Sequence, residues 1–176
     1  DRFGNKNSAY YFDGVDDYID CGNNSFFNYG KEITVSTWVK WTSISGPIVT
    51  KWKTESGWRG SWVLNSTTFS ITNNGSTGLS TSTNITLETG KFYNIVGTYL
   101  NNKISFFLDG IECGTGNGNG DVFISDAKVR IGGNRWYSNG WRASYLKGIV
   151  DEVRIYNRAL AEEEIKTIFH EGSWGN

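Results

Sequence analysis

The sequence predicts an all-β fold, a two-sheet antiparallel β-sandwich (jelly roll) with one short C-terminal helix. Short runs of β-branched and aromatic residues recur along the chain, and turn signals such as Asn-Asn-Gly at 73–75 and Asp-Gly at 109–110 separate them about every 8 to 12 residues. Helical character is confined to residues 159–170. We see no repeat or linker and expect a single domain over residues 1–176, cut from a longer protein because it lacks methionine throughout.

The composition argues against several classes of partner. A net charge of -1 offers no basic face for nucleic acid or for an anionic membrane. No apolar run approaches the roughly 18 residues that span a bilayer, so we expect no membrane insertion. Apolar residues make up 38% of the chain, which is enough to build a core. We also expect the module to be monomeric.

The first strands are predicted from their alternation. Residues 9–22, AYYFDGVDDYIDCG, give two short strands about the turn at 13–16. Residues 32–41, EITVSTWVKW, alternate so that Ile33, Val35, Val39 and Trp41 share one face. Trp38 falls on the other, polar face, and we interpret it as core.

The middle of the chain continues the pattern. Further strands are expected at PIVTKW, SWVLNS, TFSIT, NITL, KFYNIVGTYL, KISFFLDG, IECG, DVFIS and KVRIGG. Residues 114–120, GTGNGNG, are predicted to be a flexible loop, because no helix start or Walker lysine follows them. Cys21 and Cys113 could form one disulfide or remain two thiols.

The chain closes with a strand that carries unexpected charges. Residues 148–156 are rich in Ile, Val and Tyr, yet they include Asp151, Glu152 and Arg154. Charges are costly to bury without partners, so these side chains should be paired, exposed or bound to a cation. Asn157 can cap the helix that follows.

Four of these segments together resemble a known family. AYYFDGVDDYIDCG, ITVSTWVKW, KFYNIVGTYLNNKISFFLDGIECG and KGIVDEVRIYNRALAEEEI occur in the order seen in the laminin-G-like, concanavalin A-like lectin/glucanase jelly rolls of secreted microbial proteins. The resemblance implies two antiparallel sheets, frequently one calcium ion, and a role in binding glycans or partner proteins. It also implies an extracellular or cell-surface location, in modules attached to glycoside hydrolases, sialidases or adhesins.

The resemblance implies a structural calcium site. Asp13 and Asp151 match positions that the family uses for its ion, and Asp16, Asp17 and the Gly14 carbonyl could complete a shell of oxygen ligands. We expect this ion to fasten the last strand to the first turn. The alternative is that the first acids only shape a turn, while Asp151 or Glu152 pairs with Arg154 or a lysine.

Two segments combine aromatic rings with hydrogen-bond donors, as sugar binding requires. Residues 51–62, KWKTESGWRGSW, and residues 132–145, GGNRWYSNGWRASY, lie between predicted strands and are rich in Gly, Ser and Asn. The residues we expect to contact a glycan are Trp58, Arg59, Asn134, Arg135, Trp136, Tyr137, Trp141 and Arg142. For Trp52 and Trp62 the sequence leaves core and ligand contact open.

No catalytic set is apparent. The Glu-x-Asp-x-x-Glu arrangement of jelly-roll glucanases is absent, and the three glutamates at 162–164 lie on the predicted helix. The only histidine is His170, near the carboxyl end. We therefore predict a non-catalytic, calcium-stabilised, carbohydrate-binding module, with a protein-binding adhesion or structural module as the alternative and a glycan hydrolase as the weakest one.

Overall fold

The computed structural model describes residues 1–44, 46–53, 59–137 and 141–171, and for residues 59, 135–137 and 141–143 it describes the backbone only. The strands are β1 Tyr10–Asp13, β2 Ile19–Asp20, β3 Glu32–Ser43, β4 Val49–Lys53, β5 Arg59–Leu64, β6 Phe69–Thr72, β7 Gly78–Ser80, β8 Ser82–Thr83, β9 Phe92–Leu100, β10 Lys103–Leu108, β11 Ile111–Asn117, β12 Val129–Ile131, β13 Gly133–Tyr137, β14 Trp141–Tyr145 and β15 Lys147–Tyr156. A 3₁₀ turn spans Ser25–Phe27, and the helix α1 spans Glu162–His170.

Two antiparallel sheets face each other, as the sequence predicts. The large sheet has the strand order β1-β15-β3-β9-β10-β11-β8, and the small sheet has the order β2-β12-β4-β5-β6-β7. Non-consecutive strands are therefore neighbours, and the two strands flanking the first turn, β1 and β2, belong to different sheets. The all-β sandwich with one short C-terminal helix is confirmed.

The core lies between the sheets and is rich in large side chains. Trp41, Trp62, Phe69 and Phe106 are fully buried there. Gly97 allows this packing, because a Cβ at this position would lie 2.2 Å from the Phe69 ring. The position of Trp62 settles the question that the sequence left open for it.

The outer face of the large sheet is covered by α1. Ile165 and Ile168 of the helix pack against Val96 and Phe107 of the sheet. Beside them the Trp38 ring stacks on Phe169, with ring centroids 5.7 Å apart. Trp38 lies on the face opposite the main core, yet the helix buries it. Its polar-side position is thus explained by a second hydrophobic layer.

Several local predictions are wrong. NITL at 84–87 and DVFIS at 121–125 are not strands, whereas residues 114–117, expected in a loop, extend β11. Asn157 is not the helix cap. The cap position is Ala161, whose N–H donates to Glu164 Oε2, so a glutamate three residues later performs the capping.

Two remaining observations concern the cysteines and the membrane. Cys21 and Cys113 are both free thiols, so no disulfide joins them. Within the described ranges, no helix has the length and apolarity needed to cross a bilayer.

Candidate functional site

The segment after β12 is a β-hairpin and not the loop expected from its glycines. β13 and β14 pair as a two-stranded sheet of their own, separate from both main sheets. The register sets Trp136 opposite Arg142, and Tyr137 opposite Trp141. Directly opposite residues of an antiparallel pair have Cα atoms about 4.5–5.5 Å apart. The hairpin thus brings four predicted ligand residues into two adjacent cross-strand pairs, although their side chains lie outside the described part.

A glycine hinge fixes the base of the hairpin. Gly132 has a φ of +82°, and a Cβ there would lie 2.2 Å from the Phe12 ring. Its N–H donates to the Ile48 carbonyl at 2.8 Å, and its own carbonyl accepts from the Leu146 N–H at 2.8 Å. The chain can therefore leave the small sheet at this point, run out through β13 and return to the same place through β14.

The first strand of the hairpin lies close to the small sheet, where β13 contacts β4. Alternation along β4 points Val49 and Lys51 into the sandwich and Thr50 outward, yet Thr50 is only 1% exposed. Its cross-strand partner Val63 is likewise buried. Both outward-pointing residues are therefore shielded from solvent.

Buried polar atoms without partners lie in this region. Asn134 is 1% exposed, and among the described residues neither its Oδ1 nor its Nδ2 has a hydrogen-bond partner. Thr50 Oγ1 and Arg130 Nε are also buried without a hydrogen-bond partner among the described residues. Leaving such a group unpaired costs about 1–3 kcal/mol. Native proteins usually retain that cost only where a water, ion or ligand supplies the missing partner.

The other aromatic segment is divided between strands. Lys53 at the end of β4 pairs with Arg59 at the start of β5, so both ends of the predicted segment belong to strands. Trp58 lies in that stretch, outside the described residues, and for Arg59 only the backbone is described. Trp52 is 5% exposed and lies over Gly60, where a Cβ would approach its ring to 2.0 Å. Trp52 is therefore a packing residue.

Sequence reasoning missed a group of side chains beside the hairpin. The rings of Tyr18 and Tyr145 stack with centroids 6.5 Å apart, and the Arg130 guanidinium lies 5.4 Å from the centre of the Tyr18 ring. Tyr145 ends β14 and Arg130 lies in β12, but Tyr18 comes from the far end of the chain. No local signal links them, because only the sheet order brings β2 next to β12.

The first turn gathers acidic side chains. Carboxylate oxygens of Asp13, Asp16 and Asp17 lie within 4.8 Å of one another. Asp13 Oδ1 accepts a hydrogen bond from the Val15 N–H at 2.7 Å, and Gly14 has a φ of +83°, so the turn conformation itself needs Asp and Gly here. Oxygen ligands of this kind suit Ca²⁺, and the turn could hold it with Asp13, Asp16 and the Gly14 carbonyl.

The structure does not bring Asp151 to this turn. Asp13 pairs with Lys147 on β15, whereas Asp151 lies four residues further along that strand, about 13 Å away. Asp151 is 8% exposed, and its Oδ2 accepts from the Arg2 N–H at 3.3 Å. The fastening of the last strand to the first turn through one ion shared by Asp13 and Asp151 is thus corrected: the ladder of β1 and β15 already joins them.

The neighbouring charges on β15 follow the ion-pair alternative. Glu152 Oε2 receives Arg2 Nη1 at 3.0 Å and Arg154 Nη2 at 3.1 Å. Glu152 adopts a φ of +48° at an irregularity in the pairing of β15 with β3. This bulge turns its carboxylate toward both guanidinium groups. The charges of Glu152 and Arg154 are therefore paired, which agrees with the expectation that charges in this strand need partners.

Two packed antiparallel sheets in this strand order form a β-sandwich of the jelly-roll kind. The chain matches the family described as the Concanavalin A-like lectin/glucanases superfamily over residues 13–166, and it belongs to that family. The laminin-G-like resemblance seen in the sequence is thereby confirmed. Comparison with curated proteins finds no match in sequence.

Solved structures share the fold at low sequence identity. The Ruminococcus gnavus IT-sialidase CBM40, solved with α2,3-sialyllactose, has a TM-score of 0.70 and 13% identity, covering 92% of this chain and 97% of its own. Domain 4 of AbnA, an extracellular GH43 arabinanase from Geobacillus stearothermophilus solved with arabinotriose, has a TM-score of 0.60 and 19% identity, covering 96% of this chain and 84% of its own. Domains LG4-5 of mouse laminin α1 have a TM-score of 0.62 and 17% identity, covering 87% of this chain and 44% of their own.

Proposed function

We propose that this chain is a non-catalytic carbohydrate-binding module of a secreted or cell-surface protein, and that the hairpin β13–β14 is its main binding element. One observation carries the proposal: a hairpin outside both sheets sets Trp136 opposite Arg142 and Tyr137 opposite Trp141. A sugar ring needs flat apolar surface together with forked or planar hydrogen-bond donors, and this element supplies both.

The distribution of tryptophan supports this assignment. Trp38, Trp41, Trp52 and Trp62 are all buried by packing within the protein. Their burial removes half of the eight tryptophans from consideration as ligand contacts. Trp136 and Trp141, by contrast, belong to an element that neither main sheet needs for its pairing. The two similar structures solved with arabinotriose and with sialyllactose support carbohydrate as the ligand class.

The buried amide of Asn134 adds a specific donor and acceptor. It lies at the base of the hairpin, and in the part of the chain that the structure describes both of its polar atoms lack a hydrogen-bond partner. A hydroxyl of a bound sugar, directly or through a water, would satisfy them. The proposed roles are therefore stacking for Trp136, Tyr137, Trp141 and Trp58, and hydrogen bonding for Asn134, Arg59, Arg135 and Arg142.

The acids of the helix support a non-catalytic role. Glu164 pairs with Arg158, whose guanidinium together with the Ala161 N–H lowers the Glu164 pKa to about 2. Glu163 pairs with Lys166 on the same exposed helix. These carboxylates serve helix capping and surface pairing, and the pKa of Glu164 is shifted in the direction opposite to that of a glycosidase acid.

A protein partner is the second candidate, because an edge strand of the large sheet presents apolar side chains. β1 has one strand neighbour, and its residues Tyr10 and Tyr11 are 67% and 60% exposed. Val15, just beyond it, is 69% exposed. Such an edge can accept an added strand from a partner.

A glycan array with and without chelator tests the proposal. Saturable binding that Trp136→Ala or Trp141→Ala abolishes, and that Tyr11→Ala leaves unchanged, is the expected result. If no plant, algal or animal glycan binds, the carbohydrate proposal fails and the β1 edge with a protein partner becomes the favoured function. Release of sugar from a bound glycan would overturn the non-catalytic assignment.

A further inference from the structure

A second aromatic surface adjoins the hairpin, formed by Tyr18, Tyr145 and Arg130; we call it the tyrosine–arginine platform. The two rings are inclined by only 25° with centroids 6.5 Å apart. Tyr18 is 43% exposed, so part of this surface meets solvent. Tyr145 is the last residue of β14. The platform is therefore continuous with the element proposed to bind glycan.

Local structure holds the platform in place. Gly133 lies against the Tyr145 ring, and a Cβ there would lie 2.6 Å from Tyr145 Cδ1 and 3.2 Å from Tyr18 Cβ. Any larger residue would displace the Tyr145 ring. Arg130 pairs in register with Asp20 across β12 and β2, while the next pair, Ile131 and Ile19, packs with the core. Alternation therefore points Arg130 away from the core, toward the platform.

Arg130 differs from the arginines on the opposite side of the sandwich. Arg2 and Arg154 pair with Glu152, and Arg158 pairs with Glu164. Within the described residues Arg130 has no such ion pair, and its Nε is buried without a hydrogen-bond partner.

The carboxylate of Asp20, the cross-strand partner of Arg130, is already engaged. Asp20 Oδ2 receives Lys128 Nζ at 2.8 Å, and Asp20 Oδ1 receives the Gly22 N–H at 2.8 Å. The Lys128 hydrogen bond is also the main cause that lowers the Asp20 pKa. The guanidinium of Arg130 thus lies over the Tyr18 ring and keeps N–H donors for a ligand.

We propose that the tyrosine–arginine platform is a subsite for a carboxylated sugar, so that the module prefers acidic oligosaccharides. The inference rests on the proposed carbohydrate-binding function. The Tyr18 and Tyr145 rings receive the sugar ring, and Arg130 receives its carboxylate, since a guanidinium matches a carboxylate with two parallel hydrogen bonds. The hairpin beside it holds the next sugar of the same chain.

Matched pairs of ligands test the preference. The probes are α2,3-sialyllactose against lactose, and an oligogalacturonide against its carboxyl-reduced neutral form, each titrated by calorimetry at low and at high salt. For at least one pair we expect about tenfold tighter binding of the acidic member, because hydrogen bonds to charged groups carry that discrimination. The advantage should shrink as salt rises.

Three variants separate the platform from the hairpin. Arg130→Gln should remove the acidic preference while the neutral glycan binds as before, which also shows that the variant is folded. Tyr18→Ala should weaken both members of a pair. Arg158→Gln, on the helix side, is the matched control and should change neither.

The outcomes distinguish the two proposals. Equal binding of acidic and neutral partners, unaffected by Arg130→Gln, would overturn the platform and leave carbohydrate binding standing. Binding of no glycan at all would overturn both.

Discussion

Replacing Lys51 by methionine should change how the stability of the protein depends on pH. Lys51 is fully buried between the sheets. Its Nζ donates to Asn23 Oδ1 at 2.6 Å and to the Ala127 carbonyl at 2.7 Å. Burial lowers its pKa from 10.5 to about 8. The folded protein therefore carries a charge that it would hold more weakly than the unfolded chain does.

The sign and size follow from these two pKa values. Below pH 8 both states bind the proton, and the folded state bears the full cost of the buried charge. Between pH 8 and pH 10.5 the folded state releases the proton while the unfolded state keeps it, so stability rises with pH. The difference between the two pKa values corresponds to about 3.4 kcal/mol of unfolding free energy. Up to about 2.5 kcal/mol of this is gained between pH 7 and pH 10.

The assay is urea unfolding of the wild type and of Lys51→Met from pH 7 to pH 10. Burial raises the pKa of Tyr29 and Cys21, which lowers stability at alkaline pH in both proteins. The difference between the two proteins cancels that effect. From pH 7 to pH 10 we expect the unfolding free energy of the wild type to rise, relative to that of the variant, by up to about 2.5 kcal/mol.

Lys103→Met, at a side chain that is 58% exposed, controls for the loss of one lysine charge. A wild-type minus Lys51→Met difference that stays constant from pH 7 to pH 10 would refute the reasoning.

Two further predictions concern packing and calcium. Gly97→Ala places a Cβ 2.2 Å from the buried Phe69 ring and should lower the unfolding free energy by about 1–3 kcal/mol. Gly78→Ala, where nothing lies within 4 Å, is its control in the same denaturant titration. If the first turn binds calcium, adding the ion should raise the melting temperature, and Asp16→Asn should remove that rise. A rise that survives in Asp16→Asn would place the ion elsewhere.

The sequence predicts the sandwich well where one periodicity dominates. β3 and β15 occupy the residues expected of them to within two positions, because long alternating or β-branched runs leave little choice. The resemblance carried by the first turn and the closing strand extends over the whole fold. By contrast, NITL at 84–87 has strand composition but no partner strand, and composition alone cannot supply one.

The candidate site was predicted less well, because it depends on contacts distant in sequence. The glycines and asparagines of residues 132–145 suggested a loop, whereas residues 133–137 and 141–145 pair with each other as the two strands of a hairpin. Trp38 is buried because a helix more than 120 residues later covers it. Arg130 meets Tyr18 only through the order of the strands in the small sheet.

The central claim is that the hairpin β13–β14 binds carbohydrate. The most direct test is the equilibrium dissociation constant, by calorimetry, of the best glycan from the array with the wild type, Trp136→Ala and Trp141→Ala. Phe26→Ala, at an exposed ring (75%) outside the hairpin, is the control. Trp136 and Trp141 lie in adjacent cross-strand pairs, which face opposite sides of a hairpin. We therefore predict at least a tenfold loss of affinity, about 1.4 kcal/mol, in at least one of the two hairpin variants, and none in the control. Unchanged affinity in both hairpin variants would contradict the account.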